Sequence, residues 1–191
     1  MKHKTTLIVR GGGDLASGVI HRLYKCGYQV LVLECAKPSA IRRRVSFGEA
    51  VYDGTSRVEG VTGRLIKDIS ECRKVWDEKE IPILVDENAD AVSELKPDAL
   101  IDAILAKKNL GTTRMMAPLT IGLGPGFTAR VDVDYVVETQ RGHNLARVIE
   151  KGTAAPNTGI PGMIAGYGKE RVIHSPAVGM MHNYSEIGDI V

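Results

Sequence analysis

The sequence predicts an α/β protein: a Rossmann-like, mostly parallel sheet with helices on both faces, followed by a smaller Gly/Pro-rich α+β segment. Three observations predict it. "LIVRGGGDLASG" (7–18) joins a short apolar run to a glycine turn and a helix start. "YQVLVLE" (28–34) supplies a second apolar run, closing a β-turn-α-turn-β unit of roughly thirty residues. Beyond it, short helical stretches alternate with Val/Ile/Leu-rich runs, as buried parallel strands require.

Taken in order, Leu7 to Val9 fits a buried strand, and Asp14 to Cys26 carries Leu15, Val19, Ile20 and Leu23 at helical spacing before Gly27, a suitable helix-ending residue. Ser46 is placed to cap a short helix over "FGEAVYDG", and "SRVEGVTGRLI" reads as an extended segment or hairpin with breaks at Gly60 and Gly63. "ISECRKVWDEKE" reads as helix, "IPILVD" as strand, "ADAVSELK" as a short helix stopped by Pro97, and "DALIDAI" as strand. The character then changes near 107–116. "APLTIGLGPGFTARVDVDYVVET" holds two strand-like runs around a Gly/Pro turn, with Asp132 and Asp134 alternating on one strand face. "RGHNLARVIEKG" reads as a short helix, and the Gly/Pro-rich remainder as loop and β. The expected organisation is a nucleotide-binding domain over 1–110 and a second α+β segment over 111–191.

Composition bounds the function. With 191 residues, 43% apolar and 25% charged, the chain has the make-up of a globular domain, and its net charge of +2 implies no polyanion partner. Aromatic residues are too few for a single-strand stacking platform. The three cysteines, Cys26, Cys35 and Cys72, have neither CxxC spacing nor a zinc-like His partner, so reduced thiols and no metal are expected. Neither a signal-peptide core nor an apolar run near the ~20 residues of a membrane helix is present. The expected setting is cytoplasmic, with no nucleic acid and no membrane; a homo-oligomer is left open.

Gly11, Gly13 and Ala16 match G-x-G-x-x-G/A, with Gly12 and Asp14 inside the turn. Gly11 permits the tight turn, Gly13 lets backbone approach a pyrophosphate, and Ala16 allows close helix–strand packing. The helix start then offers free N–H groups and a positive dipole end. Glu34, 18 residues after Ala16, is where an acid accepts from a ribose 2′-OH, which favours NAD over NADP. Asp14 is mildly unfavourable for pyrophosphate and is alternatively the helix N-cap. The same turn also serves a fold that holds no cofactor. No Y-x-x-x-K pair and no G-x-S-x-G elbow accompanies it, so no catalytic residue is assigned and enzymatic activity is left open.

"GLGPGF" (122–127) is a second glycine turn able to expose successive N–H groups as an anion nest, or to serve as a plain loop. Gly124, Gly126, Phe127 and Thr128 are therefore candidates beside the first turn.

Together, "VRGGGDLASGVIHRL", "RRRVSFGEAVYDG", "VEGV", "DAILAKKNLGT", "APLTIGLGPGFTA", "VVETQRGHNLARVI" and "PNTGIPG" resemble the YqeB family of selenium-dependent molybdenum hydroxylase system proteins. The resemblance covers essentially the whole chain. It implies an accessory or maturation role for a molybdenum hydroxylase of the xanthine dehydrogenase class, with a Rossmann-like domain distantly similar to XdhC-type factors. The implied partners are a hydroxylase subunit or other maturation factors. The implied ligand is an NAD-like dinucleotide or a molybdenum-cofactor nucleotide. The family is known chiefly from gene company and supplies no catalytic residue. The strongest matching segments add Lys107, Asn109, Glu138, Arg141, Gly142 and His143 as site candidates.

One stretch departs. "HSPAVGMMHNYSEIGDIV" resembles the opening of a small biotinyl/lipoyl-like β module that continues in the family, whereas this sequence stops at Val191. The expectation is a truncated chain or a naturally short member. Two other functional readings stand beside the accessory one: an NAD-dependent oxidoreductase, and a ligand-free scaffold for protein contact.

Overall fold

The computed structural model describes residues 4–160, 162–180 and 182–190. The first apolar run forms β1 (Thr6–Arg10), the glycine turn leads into α1 (Asp14–Lys25), and the second run forms β2 (Gln29–Glu34). A 3₁₀ turn over Phe47–Glu49 runs into α2 (Ala50–Asp53), and the hairpin β3 (Thr55–Val58) and β4 (Val61–Ile66) follows. Its tip places Glu59 at φ 48° and Gly60 at φ 79°, the left-handed pair that tight hairpins favour. Gly63 sits inside β4 rather than breaking it; a Cβ there would come 2.7 Å from Ile83 and 2.8 Å from Phe47.

Next come α3 (Cys72–Asp77), β5 (Ile81–Val85), α4 (Ala91–Leu95) and β6 (Ala99–Asp102), in the order the sequence predicts. The later strands are β7 (Thr120–Leu123), β8 (Thr128–Ala129), β9 (Tyr135–Val137), β10 (Val148–Ile149) and β11 (Gly152–Thr153).

Among the described residues one nine-stranded sheet runs β10-β9-β7-β6-β1-β2-β5-β4-β3, and β8 and β11 form a small ribbon. From β9 to β4 every pairing is parallel; only the edge strands β10 and β3 are antiparallel. Period-two alternation sends β1 side chains to both faces. Leu7 and Val9 pack with Ala16 and Ile20 of α1, Phe47 and Ala50, while Ile8 packs with Cys72 and Val75 of α3 and Ala91 and Val92 of α4. Both faces are thus covered by helices, as a parallel sheet needs. Strand order reverses at β1: β2 lies on one side and β6 on the other, which creates a crevice at their carboxyl ends.

Two features of the second half differ from expectation. The boundary expected after residue 110 falls between β6 and β7, which are hydrogen-bonded neighbours. The chain's compact units are Met1–Asn157 and Thr158–Val191. "RGHNLARVIEKG" forms turns and then β10, and among the described residues no α-helix follows β6. Gly142 at φ 136° and Ala146 at φ 65° interrupt a helix. The Ala146 N–H donates to the Glu138 carbonyl at 2.9 Å and folds the chain back beside β9.

The Thr158–Val191 unit, described by itself, holds a bridge between Ile164 and Tyr167 and a 3₁₀ turn over Lys169–Arg171. Residues 181 and 191 of the stretch compared with a biotinyl/lipoyl-like module lie outside the described residues, as do 1–3 and Pro161.

Candidate functional site

The first glycine turn sits in the crevice where strand order reverses. Gly11, at φ 93°, donates its N–H to the Leu33 carbonyl at 2.7 Å and presses on the end of β6: a Cβ there would come 2.9 Å from Ile104 Cα. Gly13 is the N-cap of α1 in extended geometry, with no side-chain cap and open space beside it. Its neighbour Asp14 is therefore the first residue of the helix rather than its N-cap, and its carboxylate pairs with Arg42. Ala16 is fully buried against the sheet, meeting the small-residue requirement of the third motif position.

Glu34 lines the cleft, as expected of it, and also bonds the protein's own backbone. Its Oε2 accepts the Gly12 N–H at 2.6 Å and its Oε1 accepts the Cys35 N–H at 2.8 Å. Both carboxylate oxygens thus bind the protein's own backbone. The spacing from Ala16 fixes where the acid lies, but the nearest donor is the turn itself.

A second segment seals the turn from outside. The Gly48 N–H donates to the Gly12 carbonyl at 2.8 Å, and Ser17 Oγ donates to the same carbonyl at 3.1 Å while accepting the Phe47 N–H at 2.8 Å. The two backbones cross so closely that a Cβ on Gly12 would lie 2.7 Å from Gly48 N. Ser46 does not cap the following turn; its Oγ donates to the Arg42 carbonyl at 3.0 Å. Gly48, Ser17 and the 46–49 segment were not legible as parts of the site. A glycine directly after an apolar aromatic residue in "SFGEA" is the signal that marks such a crossing.

On the other side of the turn lies a cleft of ≈ 310 Å³, at the lower end of small-molecule sites. Gly11, Gly13, Asp14, Ala16 and Glu34 line it on one side, Pro38–Arg42 cover it, and Ala103–Leu105 form the far wall. The helix start supplies N–H groups and the positive dipole end, Arg42 supplies a cation that is shared with Asp14, and Ile41, Ile104 and Leu105 supply apolar surface. That combination can hold a phosphate with an apolar body beside it. Cys35 also lines the cleft. Burial and then the neighbouring Glu34 charge push its thiol up, which disfavours a thiolate nucleophile. Burial pushes the Cys72 thiol up to about 12. A larger hollow of ≈ 830 Å³ lies between α4 and 114–118. It gathers no glycine turn and no helix start of the length of α1. The chemistry therefore favours the smaller cleft.

The second glycine turn does not line that cleft. Gly124, at φ 76°, and Gly126, at φ 115°, are needed for close packing: a Cβ on the first would come 2.6 Å from Thr139 Oγ1 and on the second 2.7 Å from the Lys108 backbone. Phe127 is buried in a satellite core with Ala129, Val133, Val136 and Ala154. The Thr128 N–H donates to Asp132 Oδ2 at 2.7 Å. Asp132 and Asp134 lie in the turn before β9 rather than along a strand. Asp134 accepts the Thr120 N–H at 2.9 Å and pairs with Arg114. Among the described residues no group of three or more His, Cys, Asp and Glu is arranged to hold a metal ion.

The remaining candidates separate by role. Asn109 Oδ1 accepts the Gly111 and Thr112 N–H groups at 2.9 and 2.8 Å, so it shapes its own loop. Glu138 is buried and accepts the Gln140 N–H at 2.7 Å and the Ala155 N–H at 2.8 Å. Burial pushes its carboxyl up, but the N–H groups of Ala155, Gln140 and Thr139 outweigh it and hold the pKa below the usual range. Lys107, Arg141 and His143 are exposed, and Gly142 takes φ 136° in their turn. None of these lines the cleft. Leu105 links the regions: it lines the cleft and would meet a Gly124 Cβ at 3.2 Å.

Arg10, Asp102 and Thr112, which sequence reasoning passed over, form a buried polar network at the ends of β1 and β6. The available signal was a charge closing each of two apolar strands, since a buried charge must find a partner.

No family model matches the chain, and no solved structure matches it. It is similar to the Uncharacterized protein YqeB of Escherichia coli (strain K12), with 50% identity over 185 residues that cover 97% of this chain. The chain spans about a third (34%) of the length of that curated relative. The similarity supports the resemblance to the YqeB family.

Proposed function

We propose that this chain binds a nucleotide or other phosphate-bearing cofactor in the Gly11–Asp14 cleft and acts as an accessory factor in maturing a selenium-dependent molybdenum hydroxylase. The binding half is carried by one observation: a glycine turn and an uncapped helix start lie in the crevice where strand order reverses, beside an arginine and an apolar wall. The maturation half is supported by the resemblance to the YqeB family. Molybdenum cofactors of this class carry a pyrophosphate-linked nucleotide, and a phosphate cradle suits such a group. Titration calorimetry and thermal shift with NAD, NADP, CTP, CDP and molybdopterin dinucleotide test the binding; stabilisation by none of them overturns it. Co-purification of a hydroxylase subunit or another maturation factor tests the role.

A second reading, a scaffold that holds no ligand, is favoured by the Gly12–Gly48 crossing and by the engagement of both Glu34 oxygens. It expects a Gly13→Asp variant to capture a hydroxylase subunit as well as the wild type does. A third reading, an NAD-dependent oxidoreductase, expects a nicotinamide absorbance change with a small substrate; Glu34 keeps a further lone pair on each oxygen beside its bonds to the Gly12 and Cys35 N–H groups.

A further inference from the structure

We propose that Thr112, relaying between the buried Arg10 and Asp102, is a positioning residue for the cleft, fixing the Ala103–Leu105 wall. The inference rests on the phosphate-site reading and names what holds that site in shape.

Arg10 and Asp102 close β1 and β6 as register partners, and only 3% and 1% of their surfaces are exposed. Arg10 Nη1 donates to Thr112 Oγ1 at 2.6 Å, and that hydroxyl donates to Asp102 Oδ2 at 2.6 Å; the direct Nη1–Oδ2 separation is 3.6 Å. The hydroxyl therefore bridges the ion pair. The other oxygen of the same carboxylate, Oδ1, accepts the Ile104 N–H at 3.1 Å. One carboxylate thus holds the far end of the 103–112 loop with one oxygen and the cleft wall with the other. Arg10 Nη2 ties down the Glu87 carbonyl at 2.8 Å as well.

Two glycine turns bear on this loop. Gly11 is pressed against Ile104, and Gly126 against the Lys108 backbone. A shift of Ile104 is therefore felt at the phosphate turn, and the second glycine turn acts as a buttress behind the wall. A side-chain hydroxyl that orients the carboxylate sets where the wall stands.

The test compares wild type, Thr112→Val, which keeps the shape and removes the hydroxyl, and Thr112→Ser, which restores it. Hydrogen exchange over 104–112 is read by mass spectrometry, and binding of inorganic pyrophosphate by calorimetry. The expected result for Thr112→Val is faster exchange over 104–112 with β2 and β5 unchanged, and pyrophosphate affinity lower by about tenfold. Thr112→Ser is expected to return both to wild-type values. Unchanged exchange in Thr112→Val, unchanged affinity despite a loosened loop, or no rescue by serine overturns the proposal. Should Thr112→Val not fold, Asn109→Ala removes the turn that holds Thr112 while leaving the ion pair, and is read the same way. Failure of wild type to bind pyrophosphate counts against the phosphate reading, and the exchange comparison then supports or overturns the positioning role by itself.

Discussion

The Glu34 carboxylate receives the Gly12 N–H at 2.6 Å, so the acid that closes β2 clamps the glycine turn that follows β1. Its second oxygen holds the N–H of its chain neighbour Cys35, which fixes the carboxylate, while the Gly12 bond ties the two strand ends across the crevice. Hydrogen bonds to an ionised acceptor are worth more than neutral ones. Glu34→Gln retains one accepting oxygen and turns a donor toward a donor. The expected outcome is a loss of about 1–3 kcal/mol in denaturant unfolding, with any preference between NAD and NADP left where it was. A large change in that preference with unaltered stability would instead support a ribose-reading role for Glu34.

The four glycines of the crossing should not respond alike. Gly11→Ala meets the Ile104 backbone at 2.9 Å from a left-handed φ, and Gly12→Ala meets Gly48 N at 2.7 Å. Each is expected to cost about 2–3 kcal/mol. Gly48→Ala meets only the Glu34 carboxylate at 3.1 Å and the Gly12 carbonyl at 3.3 Å, and should fall between. Gly13→Ala meets nothing within 4 Å and loses only cap preference, about 1 kcal/mol or less. Equilibrium melts of the four variants give the ranking. Gly13→Ala is then the informative variant for ligand binding, since it crowds the cleft without disturbing the fold.

The crossing also shows what a sequence carries and what it withholds. The β1–α1–β2 unit, the β3–β4 hairpin and the strands β5 and β6 follow from local apolar period and turn residues, and they are where those signals place them. The role of Glu34 is not local: spacing locates the acid, but the competing donor is set by the three-dimensional approach of Gly12. The stretch 141–152 has apolar residues at helical spacing, yet it folds back on the Glu138 backbone, whose carbonyl accepts the Ala146 N–H and whose N–H donates to the Arg147 carbonyl. The second glycine turn looked like an anion nest because glycine permits one; here its glycines answer to the Lys108 and Thr139 atoms pressed against them.

Glu138 should make part of the stability depend on pH. Its folded pKa lies below the ordinary 4.5, because backbone N–H groups outweigh the opposing effect of burial. A depressed carboxylate stabilises the fold above its unfolded pKa, and that contribution is lost as pH falls through the lower folded value. Glu138→Gln should therefore be less stable than wild type near neutrality, with the gap narrowing as the solution is acidified through the carboxylate range. Asp134→Asn should behave similarly, since the Thr120 N–H and Arg114 hold Asp134 low against the effect of burial. Urea melts across the acid range read both, and a gap independent of pH would remove the linkage.

The Arg10–Asp102 pair allows a sharper test of what buried charge does at the crevice. Water is excluded from both groups, so deleting one partner leaves the other charged and desolvated. Asp102→Ala also frees the Thr112 hydroxyl and the Ile104 N–H, and is expected to cost about 3–5 kcal/mol. Arg10→Met leaves the carboxylate with its hydroxyl and amide donors, so it should cost less than Asp102→Ala. The double replacement Arg10→Met with Asp102→Leu removes both charges at similar volume, and should be more stable than the Asp102→Ala single variant despite carrying two changes. A double-mutant cycle of Arg10→Met, Asp102→Leu and their combination, by denaturant unfolding, gives the coupling. Simple additivity would mean that the ion pair does not act as a unit, and that the register of β1 against β6 rests on the apolar residues before it.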